Sequence, residues 1–372
     1  MMTDAQQGRA TGEIDRRAFL AAGAAAGATV LTAQNSLAEG KPNSTAKADV
    51  RERARRLHRE SVVVVIHDHN PIVPDIPLML SGGVTCKVYQ IGLDVDPTAG
   101  FRDTAPIREG WSRRALAELD AVDKIVAAEP KRLVIAKSAD DIRRAKREGK
   151  VAILLGVEGA KLLDGKVEMV EKYYNRGLRE LQLRWGVPNQ IVEDQALTPF
   201  GRDVVNECNR LRIIIGLTHI PQPAFFQVAE MTKHPPIICH GIATRVSERF
   251  TDVTDQQLKA LAALRGVIGL HFYSSYLGRK PTVERVVEQV DYITNLVGID
   301  TVALGIDFFP SKGEWAEFQQ SQSPKEISWA IPDIAHVHEL TEALVARNYS
   351  GADVKKVLGE NFLRVAKDVF GS

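Results

Sequence analysis

Histidine and carboxylate side chains follow several short apolar runs in this sequence, directly or within two residues. The set comprises His67, His69, Glu158, His219, His240 and Asp307. Imidazole nitrogens and carboxylate oxygens are the usual ligands of zinc and related divalent metals in proteins. Scattered polar residues would rarely fall at the ends of so many apolar runs, so the joint pattern predicts a metal site.

The first apolar run ends in two histidines separated by one residue. In an extended segment, residues i and i+2 point to the same side, so His67 and His69 could bind one ion while Asp68 points away. Glu158 could bridge this ion to a second one, with one carboxylate oxygen on each.

His219 and His240 could hold the second ion. Two ions about 3.5–4 Å apart can activate a shared water molecule. Asp307 would then accept the proton of this water and return it. His271 ends a further apolar run at the same mouth and is a candidate substrate contact.

Each member of the set also has a structural alternative when it is considered alone. A single histidine after a strand is most often a hydrogen-bonded loop residue. Glu158 could pair with a cation or cap a helix, and Asp307 could cap the segment that follows it. The remaining histidines fall in helical or loop contexts and are interpreted as structural: His58, His234, His336 and His338.

From residue 61 onward, β-branched runs alternate with amphipathic stretches. Eight runs are expected to form strands: Val62–Ile66, Val84–Ile91, Val151–Val157, Leu178–Leu183, Ile213–Thr218, Pro236–Cys239, Val267–Phe272 and Thr301–Ile306. Several are continuously apolar, as parallel strands covered on both faces should be. Helical patterns lie near 112–128, 139–148, 166–176, 202–211, 254–264, 282–297, 333–347 and 351–369.

This alternation predicts the α/β class and a (β/α)8 TIM barrel with C-terminal helices. The link between the first two runs looks too short for a full helix, so we expect the barrel to be distorted. Chemistry in such barrels sits at the C-terminal ends of the strands, which is where the set of histidines and acids falls.

Residues 1–38 are typical of a twin-arginine signal peptide. Arg16-Arg17 precedes Phe19-Leu20, an Ala/Gly-rich run follows, and Ser36-Leu37-Ala38 is a small-x-Ala cleavage signal. The run is too short to span about 30 Å of hydrocarbon. We expect the twin-arginine export machinery to deliver the protein to the periplasm or the medium.

The remaining chain is expected to divide at residue 60. Residues 39–60 are predicted to be a polar linker followed by a charged helix from about residue 50, and residues 61–372 to be the barrel.

Composition limits the classes of partner. The 48 Lys and Arg residues nearly balance the 47 Asp and Glu residues, so the net charge is +1 and nothing favours binding to nucleic acid. Cys86, Cys208 and Cys239 form no disulfide or zinc-knuckle pattern and are expected to be buried fillers. A small-molecule substrate is expected, and a homodimer is left open.

Taken together, the motifs resemble the membrane (renal-type) dipeptidases, peptidase family M19, within the metal-dependent amidohydrolase superfamily. The resemblance covers roughly residues 61–370. Its more specific pieces are Gly156-Val157-Glu158-Gly159, the LTPFGR stretch at 197–202, the segments 215–219, 236–240 and 304–308, and the GENFLRV tail at 359–365. It implies a (β/α)8 barrel with two zinc ions that hydrolyses dipeptides. By position, it also makes Glu158 the bridging ligand, His219 and His240 ligands of the second ion, and Asp307 the acid–base residue.

The first motif departs from the family. The family usually has His-x-Asp followed by an apolar residue and proline, whereas this chain has His67-Asp68-His69-Asn70-Pro71. We favour the register that matches Pro71 to the family proline, in which His69 replaces the aspartate ligand. The competing register places Pro71 at that ligand position and would weaken the first site.

The substrate contacts depart further. Arg184 and Trp185 stand where the family has a histidine that contacts the scissile carbonyl. Arg184 could stabilise a developing oxyanion, and Trp185 could shape the pocket. Arg245 and Arg249 lie near the position of the family's carboxylate-binding arginine, although the spacing is off. Phe308-Phe309-Pro310 replaces the family's Phe-Asp-Gly.

The leading hypothesis is therefore an exported two-zinc hydrolase of dipeptides. The first alternative is an amidase, deacylase or lactonase that acts on another small substrate. The second is a catalytically weak metal-binding homologue, which the competing register would favour.

Overall fold

Eight parallel strands close into a barrel whose mouth carries the histidines and acids described above. The computed structural model describes residues 44–94, 110–246, 253–278, 280–310 and 328–371. The predicted signal peptide at 1–38 lies outside these residues. The strands are β1 (Val64–Asp68), β2 (Cys86–Leu93), β3 (Leu133–Ala136), β4 (Val151–Glu158), β5 (Glu180–Gln182), β6 (Val192–Glu193), β7 (Ala196–Leu197), β8 (Ile214–Gly216), β9 (Ile237–Gly241), β10 (Val267–Leu270) and β11 (Val302–Leu304).

The sheet order is β2-β1-β11-β10-β9-β8-β5-β4, and the pairing of β2 with β4 closes the ring. Every pairing in this ring is parallel. All eight residues of β4 are buried, as expected for a strand that is covered on both faces. The predicted TIM barrel and all eight of its strands are confirmed.

The distortion of the barrel lies beside β4. The extra strand β3 pairs with the first half of β4, from Val151 to Leu154. β5 therefore meets β4 only near its end, where Glu158 pairs with Gln182. The sequence analysis missed β3, which is only four residues long, and the two-residue strands β6 and β7 of a small hairpin.

The helices surround the barrel. They are α1 (Ser44–Glu60), α2 (Ile72–Ser81), α3 (Trp111–Ala128), α4 (Ala139–Glu148), α5 (Glu168–Asn175), α6 (Pro199–Leu211), α7 (Gln222–Met231), α8 (Asp255–Ala263), α9 (Ser274–Leu277), α10 (Val283–Val297), α11 (His338–Ala346), α12 (Gly351–Lys355) and α13 (Asn361–Phe370). Side-chain caps define several starts: Ser138 accepts from the backbone of Asp141, and Thr254 forms a capping box with Gln257. None of the described helices is long and apolar enough to cross a membrane.

Four of the described helices differ from expectation. α2 fills the link between β1 and β2, which the sequence analysis judged too short for a full helix. Pro77 stands inside this helix and removes one backbone hydrogen-bond donor there. α7 and the four-residue α9 were not predicted, and α1 begins at Ser44 rather than near residue 50.

The C-terminal segment holds the two ends of the barrel together. A π-helical turn, Lys356–Glu360, joins α12 to α13. A Cβ at Gly359 would lie 2.3 Å from the carbonyl oxygen of Val62, so only glycine permits this approach to the start of the barrel. The Asn361 amide donates to the carbonyls of Ile299 and Val302, each at 2.8 Å.

Candidate metal centre

The carboxyl ends of the barrel strands bring the expected residues to one place. His67 lies within β1, Glu158 at the end of β4 and His240 within β9. His219 and Asp307 follow β8 and β11. All of these strands are parallel, so their carboxyl ends open at the same mouth.

Glu158 lies at the centre, and only 1% of its surface is exposed. Its Oε2 atom is 2.9 Å from His69 Nε2 and 3.5 Å from His67 Nε2. Its Oε1 atom is 3.2 Å from His219 Nε2 and 3.6 Å from His240 Nε2. Each carboxylate oxygen therefore faces a different pair of histidines.

Within each pair, the two imidazoles point their Nε2 atoms at one another. The distance is 3.0 Å between His67 and His69, and 3.0 Å between His219 and His240. Two groups of three potential ligands result, and both include Glu158. Two nitrogens and one oxygen converge in each group, which suits zinc and similar divalent ions.

Burial favours the neutral, metal-binding form of two of the four histidines. It lowers the pKa of His67, and it holds the pKa of His240 well below its usual range. Burial alone would raise the pKa of Glu158, but the surrounding histidines outweigh it and the net pKa is well below the ordinary value. Neutral imidazoles are the form in which His67 and His240 would bind metal. At His69 burial also lowers the pKa, but the hydrogen bond and charge of Glu158 outweigh it, so the net pKa is raised.

Asp307 faces the first histidine pair from the other side. Its Oδ1 atom is 3.5 Å from His67 Nε2 and 3.6 Å from His69 Nε2. Its Oδ2 atom is 3.1 Å from His271 Nε2. Burial opposes ionisation, yet His240, His271 and His67 outweigh it and lower the pKa of Asp307.

His219 and Asp307 share an unusual backbone. Their φ angles are +62° and +61°, in the left-handed region that non-glycine residues seldom adopt. The surroundings hold this conformation: the backbone N–H of Asp307 donates to the carbonyl of His67, and the Trp329 indole donates to the carbonyl of Asp307. Strained backbone of this kind is often found at functional sites.

Asp68 points away from the two histidines beside it, as the strand alternation predicted. Its Oδ1 atom is 2.7 Å from the ammonium of Lys87, which is fully buried. Lys87 also contacts Asp75 at 2.8 Å and donates to the carbonyl of Asn70 at 2.7 Å. The ammonium thus ties the segment after β1 to α2, a role that the sequence analysis missed.

Gln182 supports the bridging carboxylate, and it too was missed. Its amide nitrogen donates to Glu158 Oε1 at 3.1 Å. Its amide oxygen accepts from the thiol of Cys239, which also contacts Thr218 at 3.2 Å. The three cysteines are free and buried as expected, but Cys239 is part of this polar network rather than a simple filler. The polar Gln182 inside an apolar run was the available signal.

A cavity of about 260 Å³ adjoins the second histidine pair. The residues that line it include Arg184, Thr218, His219, His240, Gln257 and Tyr276. Trp185 does not line the cavity but lies near its wall, with its ring centroid 6.3 Å from that of His219. The ring of His271 stacks on that of Tyr276 at 4.3 Å, which links the surroundings of Asp307 to the cavity.

The structure does not bring Arg245 to this cavity. Its side chain is 74% exposed and approaches Asp255 at 3.8 Å. The other candidate, Arg249, lies outside the described residues. Of the expected substrate contacts, Arg184 lines the cavity itself, while Trp185 and His271 lie directly beside its walls.

Comparison with known proteins agrees with this geometry. The sequence pattern of membrane dipeptidases (peptidase family M19) matches residues 66–370. The chain is 28% identical to the dipeptidase tcpJ of Claviceps purpurea, over 78% of this chain and 67% of that protein. It is also 28% identical to an uncharacterised protein in the pqqA 5′ region of Klebsiella pneumoniae, over 71% of this chain and 97% of that protein.

Solved structures share the barrel. An amidohydrolase from Pseudomonas aeruginosa superposes with a TM-score of 0.76 at 24% identity, covering 86% of this chain and 99% of that one. A metallopeptidase from Rhodobacter sphaeroides, solved with a phosphinate mimic of L-Ala-D-Ala, superposes with a TM-score of 0.72 at 22% identity, covering 83% and 100%. With the family pattern spanning most of the sequence, the chain belongs to the membrane dipeptidase family, peptidase family M19, and is a metal-dependent dipeptidase or amidohydrolase.

Proposed function

We propose that this enzyme hydrolyses the amide bond of dipeptides at a centre of two divalent ions, with zinc as the natural metal. The observation that carries the proposal is the position of Glu158. Its two oxygens face two separate histidine pairs, and this arrangement suits a carboxylate that bridges two ions.

The two ions would be held by His67, His69 and Glu158 Oε2 on one side and by His219, His240 and Glu158 Oε1 on the other. Bound there, such ions supply a water activated for attack and a Lewis acid for the carbonyl oxygen. The chain's own task is to hold these donors in place. Gln182 fixes the Glu158 carboxylate, and Lys87 fixes the segment that carries His67 and His69.

Asp307 is the proposed proton carrier. Its lowered pKa keeps the Asp307 carboxylate ionised in the metal-free protein. It can therefore take a proton from the attacking water and give it to the leaving amine. The backbone N–H of Tyr273 donates to His271 Nδ1, which places the imidazole proton on Nε2, toward Asp307. His271 therefore orients the Asp307 carboxylate.

A second candidate is an amidase, deacylase or lactonase with the same metal chemistry. It is favoured by Arg184, which lines the cavity in place of the family histidine. Dipeptides differ from these other substrates in the charged groups that flank the cleaved bond, so assays on both kinds of substrate separate the two candidates.

The test combines metal analysis with a substrate panel. Purified enzyme should hold close to two divalent ions per chain, and His67→Ala should lower this to about one. Dipeptides, including those with a D-residue at the C-terminal position, should be hydrolysed faster than simple acyl amides and lactones. Wild-type protein that binds no transition metal after reconstitution would rule out the centre, and hydrolysis of only amides or lactones would favour the second candidate.

We also propose that residues 1–38 direct export through the twin-arginine machinery to the periplasm or the medium. The support is the sequence itself, with Arg16-Arg17 before a short apolar run and a cleavage signal at Ala38.

A further inference from the structure

The buried thiol of Cys239 connects to two of the expected ligands of the second ion. Cys239 precedes His240 in β9, and its Sγ atom is 3.5 Å from His240 Nδ1. On its other side, Sγ donates to the side-chain oxygen of Gln182 in β5. Strand β8 separates β9 from β5 in the sheet, so this contact crosses the interior of the barrel. The thiol therefore joins side chains that the strand pairing does not bring together.

The proton positions along this row of contacts follow from the groups at its far end. Gln182 Nε2 is 3.1 Å from Glu158 Oε1 and 2.8 Å from the carbonyl oxygen of Arg184. An ionised carboxylate and a carbonyl only accept hydrogen bonds, so the amide must turn its nitrogen toward them and its oxygen toward Cys239. That oxygen accepts the single proton of the thiol, and the sulfur is left to accept a hydrogen bond from His240.

Thr218 does not change this assignment. Its hydroxyl oxygen lies 3.2 Å from Cys239 Sγ and 3.2 Å from the carbonyl oxygen of His240, and it carries its own proton for either acceptor. His240 therefore has its proton on Nδ1 and a lone pair on Nε2. That Nε2 atom lies 3.0 Å from His219 Nε2, at the position of the second ion. The hydrogen bond of one ring nitrogen thus selects the nitrogen that can bind metal.

We propose that Cys239 is a positioning residue for the second ion. Its sulfur holds His240 with Nε2 turned to that ion, and through the amide of Gln182 it holds Glu158 Oε1 toward the same ion. Outer hydrogen bonds of this kind orient metal ligands and raise the affinity for the metal. Because the thiol keeps its proton, Cys239 supports the ligands and is not a ligand itself. This inference rests on the proposed function and adds the residue that tunes the affinity of its second site.

The first ion position lacks this support from the thiol. Its carboxylate ligand atom is Glu158 Oε2, whereas Gln182 contacts the other oxygen, Oε1. His67 Nδ1 is buried and has no hydrogen-bond partner among the described residues. Asp307 instead adds a second carboxylate there, with its Oδ1 atom 3.5 Å from His67 Nε2. Loss of the thiol should therefore weaken the binding of the second ion selectively.

The experiment titrates the mature enzyme, freed of metal, with zinc and resolves the two binding steps by calorimetry with a competing chelator. Cys239→Val fills a similar volume without a donor or acceptor. It should raise the Kd of the second ion by about 10- to 100-fold and change that of the first by less than about threefold. Cys239→Ser should restore most of the affinity, because a hydroxyl both donates and accepts. Cys208→Val, at another buried free cysteine, in α6, should change neither Kd.

Three results would overturn the inference. The first is an equal weakening of both ions, or an unchanged second Kd, in folded Cys239→Val. The second is a failure of Cys239→Ser to restore the affinity. The third is a sulfur-to-cobalt charge-transfer band in the cobalt-loaded wild type that Cys239→Ser lacks, because it would make the thiol a direct ligand. Cys239→Ala, which only shortens the side chain, takes the place of Cys239→Val if the valine variant does not fold.

Heteronuclear NMR of the metal-free enzyme keeps this inference separate from the proposed function. His240 should carry its proton on Nδ1 in the wild type, and Cys239→Val should shift the proton toward Nε2. If the tautomer of His240 is the same in both proteins, the inference fails even though two ions bind. If no ion binds but the tautomer depends on Cys239, the proposed two-metal centre fails and the positioning of His240 by Cys239 stands.

Discussion

At the scale of single residues, the centre depends on side chains that each contact several others. Asp307 faces His67 and His69 with one oxygen and His271 with the other. A change at Asp307 therefore tests both proton transfer and the arrangement of the site.

Asp307→Asn should keep most of the bound metal but lower kcat by about 10²- to 10⁴-fold, because the amide has a similar shape yet cannot accept a proton. Steady-state assays with added metal check this, since excess metal restores a ligation defect but not a missing proton carrier. Asp203→Asn, in an exposed residue of α6, is the control. Near-normal turnover of the metal-saturated Asp307→Asn enzyme would remove Asp307 from this role.

Lys87 is the residue whose loss should harm stability most. Lys87→Met leaves Asp68 and Asp75 as buried carboxylates without their cation, which should lower the free energy of unfolding by about 3–5 kcal/mol. Denaturant titration measures this change. Lys356→Met breaks an exposed ion pair with Asp300 and should cost less than about 1 kcal/mol. Equal effects of the two substitutions would show that the buried contacts are unimportant.

At the scale of elements, the strand ends were predictable and the interior of the barrel was not. A histidine or acid at the end of an apolar run stands where parallel strands open, so His67, Glu158 and His240 could be placed from spacing alone. Lys87 and Gln182 lie inside strands. Their partners come from elements far away in the sequence, and no local pattern shows which side chains meet across a barrel.

Helices and short strands likewise divide into those with a local sequence signal and those that depend on contacts with distant elements. The predicted pattern near 139–148 matches α4, and the structure shows that Ser138 caps its start. α2 was missed because the link between β1 and β2 looked too short for a full helix. Pro77 is unfavourable within this helix, and packing of the buried Ile72, Ile76 and Met79 compensates for that cost. The short strand β3 depends on β4 for its pairing, which the local sequence does not show.

Glu180 of β5 makes stability depend on pH. Burial raises its pKa to about 8, with the Glu158 charge adding to the effect. An unfolded chain releases this proton near the ordinary glutamate pKa of 4.5, whereas the folded chain retains it to higher pH. Stability from this group is therefore complete below about pH 4.5 and is lost as the pH rises toward 8, by up to about 1.4 kcal/mol per pH unit.

Glu180→Gln should remove that loss. Metal-free wild type and variant should differ little near pH 4, and the variant should become progressively more stable by comparison up to pH 8. Thermal unfolding across this range measures the difference, with Glu230→Gln in an exposed residue of α7 as the control. A constant difference between Glu180→Gln and wild type at all pH values would contradict the expected titration.

At the scale of the whole molecule, the proposed export route has a direct test. Replacing both Arg16 and Arg17 with lysine keeps the charge but removes the guanidinium pair that the machinery reads. Uncleaved precursor should then accumulate inside the cell, as measured by fractionation and by the mass of the protein. Normal accumulation of the mature variant outside the cytoplasm would exclude this route.

The contacts of Gly359 and Asn361 also constrain the order in which the barrel can fold during synthesis of the chain. β1 and β11 pair with one another although they lie far apart in the sequence, and the turn that packs against both follows β11. Until Gly359 and α13 have been synthesised, the pairing of β1 with β11 lacks these supporting contacts. Apolar surface of the strands then stays uncovered. The barrel therefore closes completely only after α13 has been synthesised.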